Sequence, residues 1–183
     1  MNRDTDMLKP FTTERMVLRQ FDGADAPQLA QAVQTSPHLR DWLEWSRTDY
    51  GIKDAEAFIA VSGAAALQGS GLALGGFLPD TGRLLVSVGL TSIEAGGATA
   101  NLGYWARTGE EGKGYVKEAC QALISRAHSV LGIARIEVAV HPDNLRSINV
   151  AQALKLEPVG VVDRRIQLGG ELVSAVVFVS SRK

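Results

Sequence analysis

A strand, a glycine-containing loop, an amphipathic helix and a second strand follow one another between Leu102 and His141, and this run limits the fold more than any other part of the chain. The first strand ends at Ala106, and the loop reads Gly109-Glu-Glu-Gly-Lys-Gly114. The helix from Tyr115 to Val130 places Val116, Ala119, Cys120, Leu123, Ile124 and Ala127 at helical spacing, with Lys117, Gln121 and Ser125 on the other side. Gly132 can end it. Arg135–His141 then alternates, with Ile136, Val138 and Val140 on one face. A strand–helix–strand crossover is right-handed and leaves its two strands parallel. The chain therefore contains a sheet covered by helices, with a parallel pair inside it.

The remaining elements are antiparallel in character. Thr12–Phe21 reads as a first strand, with Met16, Leu18 and Phe21 inward. Asp25 is placed to cap a helix carrying Leu29, Ala32 and Val33. Ser36-Pro37 is a second helix-start signal and opens Leu39-Arg-Asp-Trp-Leu-Glu-Trp45. Lys53–Leu67 is alanine-rich and helical, with Ala57, Phe58, Val61 and Ala65 spaced for one face. Leu72–Leu78 and Arg83–Ile93 flank the turn Pro79-Asp-Thr-Gly82, and Ala95-Gly-Gly-Ala98 returns the chain into Thr99–Ala106, which makes a meander. After a helix near Leu145–Leu154, Pro158–Ile166 and Leu172–Ser180 close as a hairpin around Gly169-Gly170. There is no internal repeat and no linker, and residues 1–183 read as one domain of ordinary size.

A glycine loop running directly into a helix N-terminus is an anion-binding device. Free backbone N–H groups point outward, the helix dipole adds partial positive charge, and glycine lets a ligand approach the main chain. The loop points to a ligand carrying phosphate. It is not a Walker A loop, because the spacing from Gly109 to Gly112-Lys113-Gly114 is too short and no hydroxyl follows for magnesium. Gly69-Ser-Gly71-Leu-Ala-Leu-Gly75-Gly76 superficially suits a dinucleotide site, but a strand fits Leu72–Phe77 better than a helix.

Composition narrows the function classes. A net charge of −1 argues against a nucleic-acid partner. The single cysteine, Cys120, excludes an internal disulfide, supplies no metal cluster, and lies on the apolar side of its helix. No apolar run suits a membrane span, and the polar start Met1-Asn-Arg-Asp-Thr-Asp is not a signal peptide, so a cytoplasmic protein is expected.

This order of elements, with these residues at the joints, resembles the GNAT superfamily of acetyl-CoA-dependent N-acetyltransferases, in particular the branch of bacterial ribosomal-protein N-terminal (alanine/serine) acetyltransferases. The resemblance is carried by Leu102-Gly-Tyr-Trp105, Glu111-Gly-Lys-Gly-Tyr-Val-Lys-Glu-Ala119, Ile133-Ala-Arg-Ile-Glu137, His141-Pro-Asp-Asn-Leu-Arg-Ser-Ile148 and the early Leu39–Trp45 segment. It implies an α/β fold: a mixed, mostly antiparallel seven-stranded sheet with a splayed central parallel pair and flanking helices. It implies acetyl-CoA as cosubstrate and no metal. The pyrophosphate would lie on the loop Glu111, Gly112, Lys113, Gly114, Tyr115 and Val116, and the pantetheine arm on the main chain of Trp105, Ala106 and Arg107. Asn144 and Ser147 would complete the CoA site. The chain departs from the family pattern at Glu111, where Gln or Arg is usual, with Glu110 before it; at Val116, where Gly or Ala is usual; at Ala151, where many relatives carry a tyrosine acid; and at Lys155, where glycine is usual.

Two residues are singled out for catalysis. The resemblance makes Ser147 a proton donor to the departing sulfur; as a plain sequence feature it is a helix-start serine. Asn144 can cap the same helix and contact CoA. His141 titrates in a useful range, but a turn histidine before proline is usually just solvated. Glu137 reads as structural, paired with Arg135. Trp42, Glu44 and Trp45 are the acceptor-side candidates. The expected function is acetyl transfer to a primary amine by direct attack, with a protein or peptide N-terminal α-amine favoured. A small-molecule amine and a CoA-binding module without catalysis are the alternatives. No nucleic-acid or membrane partner is expected, and a homodimer is compatible with the resemblance.

Overall fold

The computed structural model describes residues 8–182. Eight strands form one sheet in the order β1-β2-β3-β4-β5-β6-β8-β7. They are β1 (Phe11–Thr12), β2 (Val17–Gln20), β3 (Leu72–Phe77), β4 (Leu84–Thr91), β5 (Thr99–Ala106), β6 (Arg135–Val140), β7 (Glu157–Leu168) and β8 (Glu171–Ser181). The helices are α1 (Ala26–Gln34), α2 (Ile52–Leu67), α3 (Tyr115–Arg126) and α4 (Leu145–Ala153). Every neighbouring pair is antiparallel except β5 and β6, which the α3 crossover makes parallel.

The expected seven strands become eight because Thr12–Phe21 is not continuous. Thr13 and Met16 close a turn, with the Thr13 amide donating to the Met16 carbonyl at 2.8 Å and the Met16 amide to Thr13 Oγ1 at 3.1 Å. Phe11 thereby comes back opposite Leu18.

The sheet separates two apolar layers. One face packs Leu85, Val88, Leu102, Ile136 and Val138 against Ala119, Cys120 and Leu123 of α3 and Ala151 of α4. The other packs Phe21, Phe77, Leu84 and Trp105 against Leu29 and Val33 of α1 and Ala55 of α2. Cys120 is fully buried, which pushes its thiol pKa up and keeps it protonated. The α3 hydrogen-bond pattern loosens into a π-turn over Ala127–Leu131, and Gly132 ends it in the left-handed region at φ 73°. No helix of the described residues is long and apolar enough to cross a membrane.

Asp25 does not cap α1 with its side chain. Asp22 and Asp25 instead form a capping box on the short turn before it. The buried Asp25 carboxylate takes a bidentate pair from Arg19 at 2.6 and 2.8 Å, plus the Asp22 amide at 2.8 Å. Burial alone would raise the Asp25 carboxyl, but the bonds from Arg19 and the Asp22 amide outweigh it and hold the group below its ordinary value. The stabilisation is therefore complete above the unfolded aspartate range and is lost as pH falls through the depressed folded value. Asp25→Asn is expected to lower stability by about 2–4 kcal/mol at neutral pH. Urea unfolding should show that gap shrinking below about pH 4, where the parent carboxyl also becomes neutral.

Lys155, which stands after α4 where the resemblance makes glycine usual, adopts φ 57°. A non-glycine residue in that region is strained. Lys155→Gly should raise stability by about 1 kcal/mol, read as a higher urea midpoint at unchanged slope.

Candidate active site

The β5–β6 ladder pairs Thr99 with Arg135, Ala100 with Ile136 and Asn101 with Glu137, and stops there. β5 continues to Ala106 and β6 to Val140, so the two strands splay and the β5 edge from Leu102 to Ala106 faces a gap. Side chains along β5 alternate across it. Leu102 and Tyr104 belong to the α3 side, whereas Trp105 belongs to the layer under α1 and α2.

The loop after β5 leads into the N-terminus of α3. Gly109, Gly112 and Gly114 have φ of 86°, 75° and 83°. The last is the N-cap of α3 and leaves the first amides of the helix without a side-chain cap. The loop is pinned from outside. Arg15 donates from Nη1 to the Lys113 carbonyl at 2.9 Å and from Nε to Glu118 at 2.6 Å, and its guanidinium lies 4.4 Å from the centre of the Tyr115 ring. On the other side the Thr108 amide donates to Ser36 Oγ at 2.8 Å. Ser36 thus holds the loop rather than capping the turn that follows it, which has no side-chain cap bond. Val116 packs against the α3-side core, so its bulk does not enter the loop.

The two adjacent glutamates have opposite roles. Glu110 is buried and ion-paired with Arg83 at 2.7 Å and Lys113 at 2.9 Å. Burial would raise its pKa, but those two cations outweigh it and hold the carboxyl below the ordinary range. Its charge is spent internally, and so is that of Lys113. Glu111 bends back over the loop. Its Oε2 accepts from the Gly109 amide at 2.6 Å, and its Oε1 lies 3.5 Å from His38 Nδ1 and 3.9 Å from Arg146 Nη1. Glutamine at this position can still accept from Gly109 while losing the negative charge. Glu111→Gln is expected to tighten coenzyme A binding about threefold to tenfold, measured by titration calorimetry. Glu111→Ala, which removes the loop contact as well, should not tighten it.

At the far side of the gap, Asn144 Oδ1 accepts from the Ser147 amide at 3.1 Å and is the true N-cap of α4. The Tyr104 hydroxyl donates to the Ser147 carbonyl at 3.0 Å, tying β5 to α4. Burial pushes the Tyr104 phenol up, so it stays protonated in that bond. Both contacts use the main chain of Ser147, and its half-buried hydroxyl does no capping. Ala151 is fully buried in the core and has no proton to give.

The acceptor-side candidates divide. Glu44 Oε1 accepts from the Gly170 amide at 2.7 Å, so it fastens the α1–α2 connection to the tip of the β7–β8 hairpin. Trp42 lies against His141, with ring centres 5.5 Å apart. His141 Nδ1 accepts from the Asp143 amide at 3.2 Å and lies 3.9 Å from the Asp143 carboxylate, so that nitrogen is engaged within its own turn. Glu137 is held by Arg135 at 2.8 Å and Arg165 at 3.0 Å, and these bonds keep it ionised below its ordinary value. Trp45 is 42% exposed and stands 6.2 Å, centre to centre, from Trp105 at the edge of a cleft of about 320 Å³ on the α2 side of β3, β4 and β5.

The sequence does not mark Arg15, Ser36, His38 or Arg146 as contacts of the loop. All four act on the loop across long sequence separations, and none belongs to a periodic pattern. Ser36 alone carried a signal, as part of the Ser-Pro pair, and that signal pointed to a cap.

A family profile for the acetyltransferase (GNAT) domain matches residues 15–157. The chain is 26% identical over 172 residues, 93% of its length and 95% of the relative's, to p20 of Bacillus licheniformis, an uncharacterized N-acetyltransferase. A Vibrio cholerae structure proposed to be a ribosomal-protein-serine acetyltransferase superposes with a TM-score of 0.85 at 26% identity, covering 94% of this chain and 97% of that one. A RimL ribosomal L7/L12 α-N-protein acetyltransferase in complex with coenzyme A shares the fold at a TM-score of 0.86 and 19% identity, covering 94% and 98%.

Proposed function

Because the chain belongs to the GNAT acetyltransferase family, we propose that it moves an acetyl group from acetyl-CoA to a primary amine by direct attack, and that the acceptor is the N-terminal α-amine of a protein or peptide. The observation that carries the cosubstrate reading is the meeting of two features at one end of the sheet. The β5–β6 ladder stops at Asn101 and Glu137, and the externally pinned glycine loop opens α3 beside it. Amides from Gly112 to Val116 fit a pyrophosphate, and the main chain of Trp105, Ala106 and Arg107 fits an extended amide-bearing arm. An acetyl thioester supplies an activated acyl carbon and a leaving thiolate whose thiol has pKa near ~8.5. The residues of the chain hold it in line with the amine and offer the Ser147 hydroxyl, with Asn144 beside it, toward the departing sulfur.

Support for the acceptor comes from the two titratable groups named near the gap, both of which are already engaged. Glu137 is committed to two arginines and His141 Nδ1 to a backbone amide. Such a site suits an amine that arrives neutral. At pH 7 roughly a tenth of α-amines with pKa near ~8 are neutral, against fewer than about one in a thousand lysine side chains near ~10.4. The description of the Vibrio cholerae relative, proposed to be a ribosomal-protein-serine acetyltransferase, agrees with that preference.

Thiol release from acetyl-CoA, measured with a peptide bearing a free N-terminus and with the same peptide Nα-blocked but carrying a lysine, tests this. Transfer to the free α-amine alone is expected. Transfer only to lysine or to a polyamine overturns the acceptor, and tight coenzyme A binding with no transfer to any amine makes the chain a binding module.

A further inference from the structure

We propose, on the basis of the acceptor reading above, that the cleft beside the gap is an apolar side-chain pocket that selects α-amines whose own residue is aromatic or aliphatic, and rejects polycationic and strongly polar amines.

The lining carries the charge argument. Among the described residues around the cleft there is no Asp, Glu, Lys, Arg or His. A polyamine or aminoglycoside placed there would lose hydration with no carboxylate to replace it. The walls are apolar side chains that the rest of the fold leaves uncovered. Phe58 and Val61 of α2 are 37% and 70% exposed, although their helical spacing marks them for burial. They face the cleft together with Trp45 and Trp105, whose ring centres are 6.2 Å apart. Exposed apolar groups gathered around one concavity mark a binding surface rather than scattered surface residues.

The floor is bare backbone. Gly89 of β4 and Gly103 of β5 are directly opposite each other in the antiparallel ladder. Gly89 is glycine for packing, since a Cβ there would come within 2.8 Å of the Leu72 carbonyl oxygen. Gly103 has no such reason. Its φ is not in the left-handed region, and a Cβ on it would meet nothing within 4 Å. Glycine in mid-strand weakens a sheet, and one that neither a turn nor a neighbour demands is a place for close approach of a ligand. Gly103 lies two residues beyond Asn101, the last paired residue before the splay, so the floor continues into the gap where the acetyl group is delivered. An amine at the gap thus has its own side chain over Gly103, against the paired indoles of Trp45 and Trp105.

The test uses L-phenylalaninamide, L-leucinamide, L-serinamide, glycinamide and spermidine as minimal acceptors with acetyl-CoA and the full chain. The expected kcat/KM for phenylalaninamide and leucinamide exceeds that for glycinamide and serinamide by about tenfold to a hundredfold, from burial of one apolar side chain. Gly103→Val, which puts a branched side chain on the floor at a position where a Cβ meets nothing within 4 Å, should remove most of that preference while coenzyme A affinity stays unchanged. A second arm reads binding without turnover: indole fluorescence of the coenzyme A-saturated protein should half-saturate at a concentration about tenfold or more lower with phenylalaninamide than with glycinamide. Equal or reversed preference in both arms, or a preference unaffected by Gly103→Val, overturns the pocket while leaving acetyl transfer intact. Preference in fluorescence with no transfer to any amine supports the pocket and removes the catalytic reading instead.

Discussion

Gly114→Pro is expected to weaken coenzyme A binding by at least about a hundredfold in a chain that still folds. Gly114 sits at φ 83°, and the proline ring fixes φ near about −65°, so the loop cannot keep its path into α3. Two things change together. The turn that aims the helix-start amides is rebuilt, and one backbone donor disappears. The body of α3 does not depend on that turn. Ala119, Cys120 and Leu123 keep their places in the core, and the Glu118–Arg15 contact acts from inside the helix. Gly114→Ala is the graded control. It keeps the N–H and adds only the left-handed strain of an L-residue, about 1–2 kcal/mol, so its loss should be much smaller. Calorimetric titration with coenzyme A, with circular dichroism to establish folding, separates the cases. Unchanged affinity in a folded Gly114→Pro variant places the pyrophosphate elsewhere.

What the sequence made legible, and what it hid, has one physical cause. Periodicity reports which residues share a face but not what covers that face. The β5–α3–β6 crossover was readable because its apolar residues repeat strictly and its covering layer is the sheet itself. On α2 the same reasoning puts Ala57, Phe58, Val61 and Ala65 in one stripe; Phe58, Val61 and Ala65 do share a side, but Ala57 is exposed and not part of it. That side looks into the cleft, while Ala55 and Ile59 pack inward. The break in the first strand leaves no mark in the sequence, because the Thr13–Met16 turn is closed by side-chain and backbone bonds without glycine or proline. The two glutamates of the loop were indistinguishable in sequence. Only the arrival of Arg83, from the start of β4, turns Glu110 inward, and only its nearness to Gly109 sets Glu111 against the loop. Polar residues from distant segments, such as Arg15 and His38, leave no local trace at all.

The Ser147 hydroxyl is the remaining large effect. Ser147→Ala should lower turnover by roughly tenfold to a hundredfold and coenzyme A affinity only slightly. Proton donation to the thiolate is needed late in the reaction, when the carbon–sulfur bond breaks, so its loss acts on the transition state more than on binding. The effect belongs at the low end of acid–base assistance, typically ~10²–10⁴-fold, or below it, because a thiol of pKa near ~8.5 leaves tolerably without help. The fold offers a clean separation of roles here. The α4 cap uses the Asn144 side chain and the Ser147 amide, and the tie to β5 uses the Tyr104 hydroxyl and the Ser147 carbonyl. Alanine preserves all four groups, so stability should stay within about 0.5 kcal/mol of the parent. Steady-state rates on an α-amine acceptor, with thermal unfolding alongside, decide the matter. A folded Ser147→Ala protein that turns over at the parent rate leaves the hydroxyl without a catalytic task, and solvent then protonates the departing sulfur, since Ala151 has nothing to donate and the Tyr104 proton is held on a carbonyl.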